Sequence, residues 1–124
     1  MSEMPGERVL LVEQPDGRDM LKMALEHVGF EVDLASDGET ALAIAAERVP
    51  AAVIADIMLP GMNGWDLAHR LRRQHGAAMR LVALTSLGDA EHRANSANAG
   101  FNVHLVKPVK PEKVRDTIRH LLAA

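Results

Sequence analysis

The run A-A-V-I-A-D, from Ala51 to Asp56, and the loop I-M-L-P-G-M-N-G after it, from Ile57 to Gly64, decide the fold. The apolar run is too short for a helix, and Pro50 and the Pro/Gly-rich loop bound it, which favours a strand buried on both faces. Such a strand lies inside a parallel sheet, and open α/β sheets keep their sites at the carboxyl ends of the strands. Asp56 therefore stands where a site is expected, although an Asp can also simply begin a turn.

Composition excludes several classes of protein. The 124 residues suit one domain and include no cysteine, which excludes disulfides, thiolate chemistry and zinc–thiolate sites. Net charge is −3 and the basic residues are scattered, so no nucleic-acid surface is expected. The apolar runs are far too short to span a membrane and no apolar signal core opens the chain, so we expect a cytoplasmic protein with no membrane contact.

Apolar runs alternate with helical periodicity five times along the chain. This alternation, with short connections, predicts a doubly wound parallel α/β sheet with helices on both faces. Residues 8–124 are expected to form one domain after a flexible tail at 1–7. The strands are predicted over 8–13, 30–35, 51–56, 79–84 and 102–106, and the helices over 16–28, 39–48, 65–74, 90–99 and from 111 onward.

Polar residues follow the predicted central strands and could converge at one edge of the sheet. A carboxylate there can accept a phosphoryl group as a nucleophile, while a hydroxyl and an ammonium hold the transferred oxygens. A second acid normally helps to bind Mg²⁺, which offsets the charge of those oxygens. The residues concerned are Glu13 with Gln14, Asp56, Thr85 with Ser86, and Lys107.

These motifs, taken in order, resemble the receiver domain of two-component response regulators over nearly the whole chain. They are the acid Glu13, D-I-M-L-P-G-M-N-G at 56–64, L-T-S at 84–86, A-G-F at 99–101 and K-P at 107–108. The resemblance implies a flavodoxin-like (βα)5 sandwich, with a five-stranded parallel sheet in the order 2-1-3-4-5.

The resemblance also implies roles for individual residues. Asp56 would be the phosphoacceptor, Thr85 the switch hydroxyl and Lys107 the ion-pair partner of the phosphoryl group. Lys107–Pro108 would be a cis peptide, which is far more accessible before proline than elsewhere. The Mg²⁺ ligands would be Glu13, Asp56 and the backbone carbonyl of Met58, with Gln14 as a doubtful fourth.

The resemblance also implies that the chain is a signalling switch rather than a metabolic enzyme. The only reactions it would catalyse are its own phosphotransfer and dephosphorylation. A histidine kinase or phosphotransfer protein would phosphorylate Asp56, and a downstream protein would bind the face made by the fourth helix, fifth strand and fifth helix. Nucleic acid would not be contacted directly. Because these residues hold no output domain, the domain would act by binding a partner or as part of a longer regulator or hybrid kinase.

The acidic pocket departs from the family pattern, which usually has two adjacent acids after the first strand. Here the sequence reads V-E-Q-P-D, so either Gln14 replaces the second acid or the loop is one residue shorter. Asp16 is expected to cap the first helix. Two unit charges about 4 Å apart attract each other by roughly 4 kcal/mol at an effective dielectric near 20, so losing one acid removes part of the attraction that holds the cation. We therefore expect weak Mg²⁺ binding and slow phosphorylation, with a phosphorylation-independent interaction module as the alternative.

Two further residues bear on function. His104 occupies the position where the family often has Tyr or Phe, so it could act as the rotameric switch or lie exposed on the last strand. Trp65 is expected to be a partly exposed packing residue at the start of the third helix, with a partner contact as the alternative. An aspartyl-nucleophile hydrolase is disfavoured, because that chemistry needs a second Asp where Met58 stands.

Overall fold

The computed structural model describes residues 7–123, within which five strands alternate with five helices. The flexible tail predicted at 1–7 therefore lies almost wholly outside the described residues. Every predicted element is present, and the ends move by at most one residue. In chain order the elements are β1 (Arg8–Val12), α1 (Pro15–His27), β2 (Glu31–Ala35), α2 (Gly38–Glu47), β3 (Ala52–Ala55), α3 (Gly64–His75), β4 (Arg80–Thr85), α4 (Ala90–Ala99), β5 (Val103–Val106) and α5 (Pro111–Ala123).

The strands form one parallel sheet in the order β2-β1-β3-β4-β5, which confirms the predicted flavodoxin-like topology. β3 is the central strand, and its last residue, Ala55, pairs with Val12 of β1 and Ala83 of β4. The residue after Ala55 is Asp56, so the topology places this acid in the middle of the carboxyl edge.

Two apolar layers cover the sheet because alternate strand residues point to opposite faces. On one face Val53 and Ala55 pack with α2, α3 and α4, and on the other Ala52 and Ile54 pack with α1 and α5. All four residues of β3 are at most 1% exposed, as expected for a strand buried on both faces. Among residues 7–123, no helix is both long and apolar enough to cross a bilayer.

Three helices begin with a side-chain cap that the sequence supplies locally. Asp37, Asn63 and Asp89 each accept a hydrogen bond from the backbone N–H three residues later, at 2.7 to 2.9 Å. Such caps contribute about 1 kcal/mol each relative to Ala. The cap at Asn63 matters most for function, because it fixes where the loop after β3 ends.

The prediction that Asp16 caps α1 is wrong. Gln14 occupies the N-cap position and makes no side-chain cap, while Asp16 has a non-helical ψ of 122°. Gly17 follows with φ of +80°, a left-handed conformation that glycine adopts without steric penalty. The loop after β1 therefore reaches the regular part of α1 through a kink at Asp16 and Gly17. These two residues form part of the wall of a cavity of about 280 Å³ beside Glu13 and Lys107.

Candidate functional site

Asp56 is held at the rim of the sheet by its own backbone and by its carboxylate. Its N–H donates to the carbonyl of Val12 at 3.0 Å, which continues the β1–β3 ladder by one residue. Oδ1 accepts the backbone N–H of Met58 at 2.9 Å, and Oδ2 accepts from Nζ of Lys107 at 2.8 Å. The residue is 8% exposed, so the carboxylate is nearly buried but has defined hydrogen-bond partners on both oxygens.

Glu13 brings a second carboxylate to the same ammonium. Its Oε2 lies 2.7 Å from Nζ of Lys107, and its Oε1 accepts the backbone N–H of Gln14 at 2.9 Å. The side-chain amide of Gln14 instead donates to the carbonyl of Ser36 at 2.9 Å. Gln14 thus reaches this group through its backbone N–H, and its side chain is tied to the segment after β2.

Thr85 and Lys107 come from neighbouring strand ends. The N–H of Lys107 donates to the carbonyl of Thr85 at 2.8 Å, directly after the pair formed by Thr85 and Val106. Thr85 is fully buried, and its Oγ1 accepts the N–H of Leu87 at 3.2 Å. The Lys107–Pro108 peptide bond is cis.

The charges in this group perturb one another. Burial raises the pKa of Glu13, as does the charge of Asp56, against the lowering effect of the bonds from Lys107 and Gln14. Burial alone would lower the pKa of Lys107, but its bonds to Asp56 and Glu13 outweigh burial and raise that pKa. The ammonium is therefore charged at neutral pH and offsets part of the repulsion between the two acids.

The two carboxylates converge on one cation position, which Lys107 fills. This donor set of hard oxygens suits a divalent cation of the Mg²⁺ class. However, no group of three or more His, Asp or Glu side chains suited to a metal occurs among residues 7–123. The site therefore fits such a cation with two carboxylates at most, and only if the cation shares or takes over the place of the ammonium.

His104 lies half-buried on β5 with both ring nitrogens bonded, so the structure does not show it exposed on the last strand. Nε2 is 2.7 Å from the carbonyl oxygen of Leu87, and Nδ1 is 2.8 Å from Oγ of Ser96. Ser96, which the sequence reasoning missed, is 1% exposed and also accepts from Nε1 of Trp65 at 3.0 Å. A signal for Ser96 existed: α4 has few apolar residues, so its inward face, shared with Ala99, must carry something small and polar.

Comparison with known proteins places the chain in a family. The model of the response regulator receiver domain matches residues 9–119. The probable transcriptional regulatory protein SilR of Salmonella typhimurium is 37% identical over 116 residues, which cover 93% of this chain and 50% of SilR. The chain thus spans about half the length of the curated regulators it matches first.

Two solved structures show the same architecture. A putative response regulator from Chloroflexus aurantiacus has a TM-score of 0.88 and 31% identity, covering 96% of this chain and 99% of that one. The receiver domain of the sensor histidine kinase PA1611 from Pseudomonas aeruginosa, solved with a magnesium ion in its active site cleft, has a TM-score of 0.86 and 28% identity, with 96% and 99% covered. Because the family model covers most of the chain and the fold agrees, the chain belongs to the response regulator receiver domain family of two-component signalling.

Proposed function

We propose that this receiver domain takes up its phosphoryl group on Asp56. The observation that carries the proposal is the position of the Asp56 carboxylate, at the carboxyl end of the central strand and bonded to both the ammonium of Lys107 and the N–H of Met58. These two donors supply charge and hydrogen bonds where the transferred oxygens would develop negative charge.

The chemistry is a displacement at phosphorus by a carboxylate oxygen of Asp56. A bond forms between that oxygen and phosphorus, the bond from phosphorus to the donor breaks, and the donor's leaving group departs with the bonding electrons. The product, an acyl phosphate, carries about −1.5 to −2 of charge in place of the −1 of the carboxylate, so this nearly buried position gains roughly −0.5 to −1. Lys107 is already in place to pair with that charge, and the hydroxyl of Thr85 comes from the adjacent strand end.

Mg²⁺ would be held by Glu13, Asp56 and the backbone carbonyl of Met58. When bound, such an ion would offset the negative charge of the phosphoryl oxygens. The ammonium of Lys107 competes with Mg²⁺ for the two carboxylates. This chain is therefore expected to bind Mg²⁺ weakly and to be phosphorylated slowly.

The phosphoryl donor would be a histidine kinase or a phosphotransfer protein, which are partners of the receiver family. The downstream protein would contact the face of α4, β5 and α5.

Incubation with a small-molecule phosphodonor, with and without Mg²⁺, tests the proposal by intact mass. We expect a gain of one phosphoryl group in the wild-type chain and none in Asp56→Asn, because an amide oxygen is a poor nucleophile for this step. Asp66→Asn, which makes the same change on exposed α3, is the control and should label like the wild type. Equal labelling of Asp56→Asn would reject Asp56 as the acceptor, and no labelling of any form would favour the phosphorylation-independent module.

Glu13→Gln is expected to weaken Mg²⁺ binding tenfold or more, since 1.4 kcal/mol of lost attraction is a factor of ten in Kd.

Glu13→Gln should also change the pH dependence of folding. Folding raises the pKa of Glu13 above 4.5, so stability from this group is present below pH 4.5 and is lost as pH rises through the folded pKa. Gln at this position does not titrate, so Glu13→Gln does not lose this stability. As pH rises from 4.5 through the folded pKa of Glu13, the urea midpoint of Glu13→Gln should therefore rise relative to that of the wild type.

The matched control is Glu47→Gln, an exposed acid at the end of α2. Its stability should run parallel to the wild type with pH. If the curve of Glu13→Gln also ran parallel to the wild type, burial would not be setting the protonation of Glu13.

A further inference from the structure

A continuous chain of hydrogen bonds leads from the switch hydroxyl to the surface between α3 and α4. Oγ1 of Thr85 accepts from the N–H of Leu87 at 3.2 Å, and the carbonyl of the same Leu87 lies 2.7 Å from Nε2 of His104. Nδ1 of His104 lies 2.8 Å from Oγ of Ser96, which lies 3.0 Å from Nε1 of Trp65. We call these five residues the relay.

The partners leave one assignment of the hydrogens for a neutral ring. A carbonyl oxygen only accepts, so Nε2 of His104 carries a proton and donates to Leu87. The indole of Trp65 only donates, so Oγ of Ser96 accepts from it. The single hydroxyl hydrogen of Ser96 is then free to donate to Nδ1 of His104. In this arrangement both ring nitrogens of His104, the hydroxyl of Ser96 and the indole N–H of Trp65 all have partners, and no other arrangement with a neutral ring achieves this.

The relay crosses the protein interior and ends near solvent. Ser96 is 1% exposed, so its hydroxyl has no water to replace a lost partner. Trp65, at the start of α3, is partly exposed and stacks on His92 of α4, with ring centroids 5.7 Å apart and planes 20° apart. Because buried hydrogen bonds demand narrow geometry and reinforce one another, a displacement at one end is passed along the relay more readily than it is absorbed.

We propose that the relay transmits the state of the Thr85 hydroxyl to the Trp65–His92 pair, so that the α3–α4 surface reports phosphorylation. His104 and Ser96 are the positioning residues of this path. The proposal rests on phosphorylation of Asp56, which draws the Thr85 hydroxyl toward the phosphoryl group. The N–H of Leu87 then loses its acceptor, and the carbonyl of Leu87 shifts with the loop after β4. This shift moves the imidazole of His104, which in turn moves the hydroxyl of Ser96 and the indole of Trp65.

A purely structural role would use the same contacts only to satisfy buried polar atoms. In that case removing the Ser96 hydroxyl would alter stability and leave the indole response to phosphorylation intact. Transmission requires that the response itself be lost, which makes the indole the informative probe. Trp65 is the single tryptophan of the chain, so its indole N–H resonance is unambiguous.

The first experiment uses NMR of the ¹⁵N-labelled, unphosphorylated protein to observe the hydrogen bonds of the relay. His104 is expected in the Nε2–H tautomer, and Ser96→Ala should shift both the Nδ1 resonance of His104 and the indole N–H of Trp65. Thr117→Ala, which removes a hydroxyl bonded within α5, is the control and should shift neither. An Nδ1–H tautomer, or an indole unmoved by Ser96→Ala, would overturn the relay whatever happens at Asp56.

The second experiment adds the phosphodonor and follows the indole of Trp65 together with the backbone amides of Thr85 and Lys107. In the wild type all three should shift, and in Ser96→Ala the indole shift should fall at least twofold while the two amides respond as before. His104→Phe, which keeps a ring but no ring nitrogens, should give the same loss if Ser96→Ala does not fold. An undiminished indole shift in these variants would overturn transmission, whereas amides that never respond would overturn phosphorylation of the site and the inference with it.

Discussion

Gly64→Ala is expected to destabilise the protein by about 1–3 kcal/mol, as overpacking does in a tight interior, and to slow phosphoryl uptake by Asp56. A Cβ at Gly64 would lie 2.4 Å from the carbonyl oxygen of Asp56 and 2.7 Å from Cα of Ile57. Both are backbone atoms beside the acceptor, and the N–H of Gly64 is bonded to the carbonyl of Ile57 at 2.8 Å. The segment carrying Asp56 must therefore move to make room.

The sign of this effect is the informative part. At an ordinary helix position, replacing Gly by Ala stabilises by about 0.5–1 kcal/mol. Gly38 offers a matched control, because it also opens a helix directly after a capping residue, and the three atoms nearest its Cβ all belong to the side chain of Met62. Gly38→Ala should cost less than Gly64→Ala, since Sδ of Met62, at 2.8 Å, can rotate away and Cβ of Met62, at 3.2 Å, needs only a small shift.

Urea unfolding and phosphodonor labelling measure the two effects separately. Gly64→Ala should lose both stability and labelling rate, while Gly38→Ala keeps the labelling rate. A Gly64→Ala protein as stable and as quickly labelled as the wild type would show that the loop after β3 does not need this close approach.

Arg72→Ala is expected to cost about 2 kcal/mol or more, because the buried carbonyl of Met79 and the half-buried carbonyl of Gly100 would lose a charged donor together and each such loss costs about 1–3 kcal/mol. The guanidinium donates to the carbonyls of Gly76, Met79 and Gly100 and to Oδ1 of Asn102. It thereby ties the end of α3 to the start of β4 and to the segment that enters β5.

Arg72→Lys should recover little of this stability, because a single ammonium cannot reproduce the planar fork that serves both sides. Arg73→Ala, one residue further along the exposed face of α3, is the control and should stay within about 0.5 kcal/mol of the wild type. Chemical denaturation decides the matter: if Arg72→Ala and Arg73→Ala unfolded at the same urea concentration, the guanidinium bonds would contribute no net stability.

Much of the fold could be predicted from local patterns. The buried run before Asp56, the Asn63 cap and the five alternations each act within a few residues, so a single sequence reveals them. The positions of Glu13, Asp56, Thr85 and Lys107 at one edge then follow from parallel topology alone. Asp16 failed as a predicted cap because the N-cap position falls at Gln14, and Asp16 lies in a kink that the left-handed Gly17 completes.

Sequence alone determined the strand and helix pattern, the family, and which polar residues end the strands, because short-range periodicity and turn chemistry encode these. Only the tertiary structure decided which of those groups bond. It joined Lys107 to both acids, turned the amide of Gln14 to Ser36, and placed Ser96 between His104 and Trp65. Such contacts join residues up to about 94 positions apart, the separation of Glu13 and Lys107. Their geometry depends on the packing of whole helices against the sheet, which no local stretch of the chain specifies.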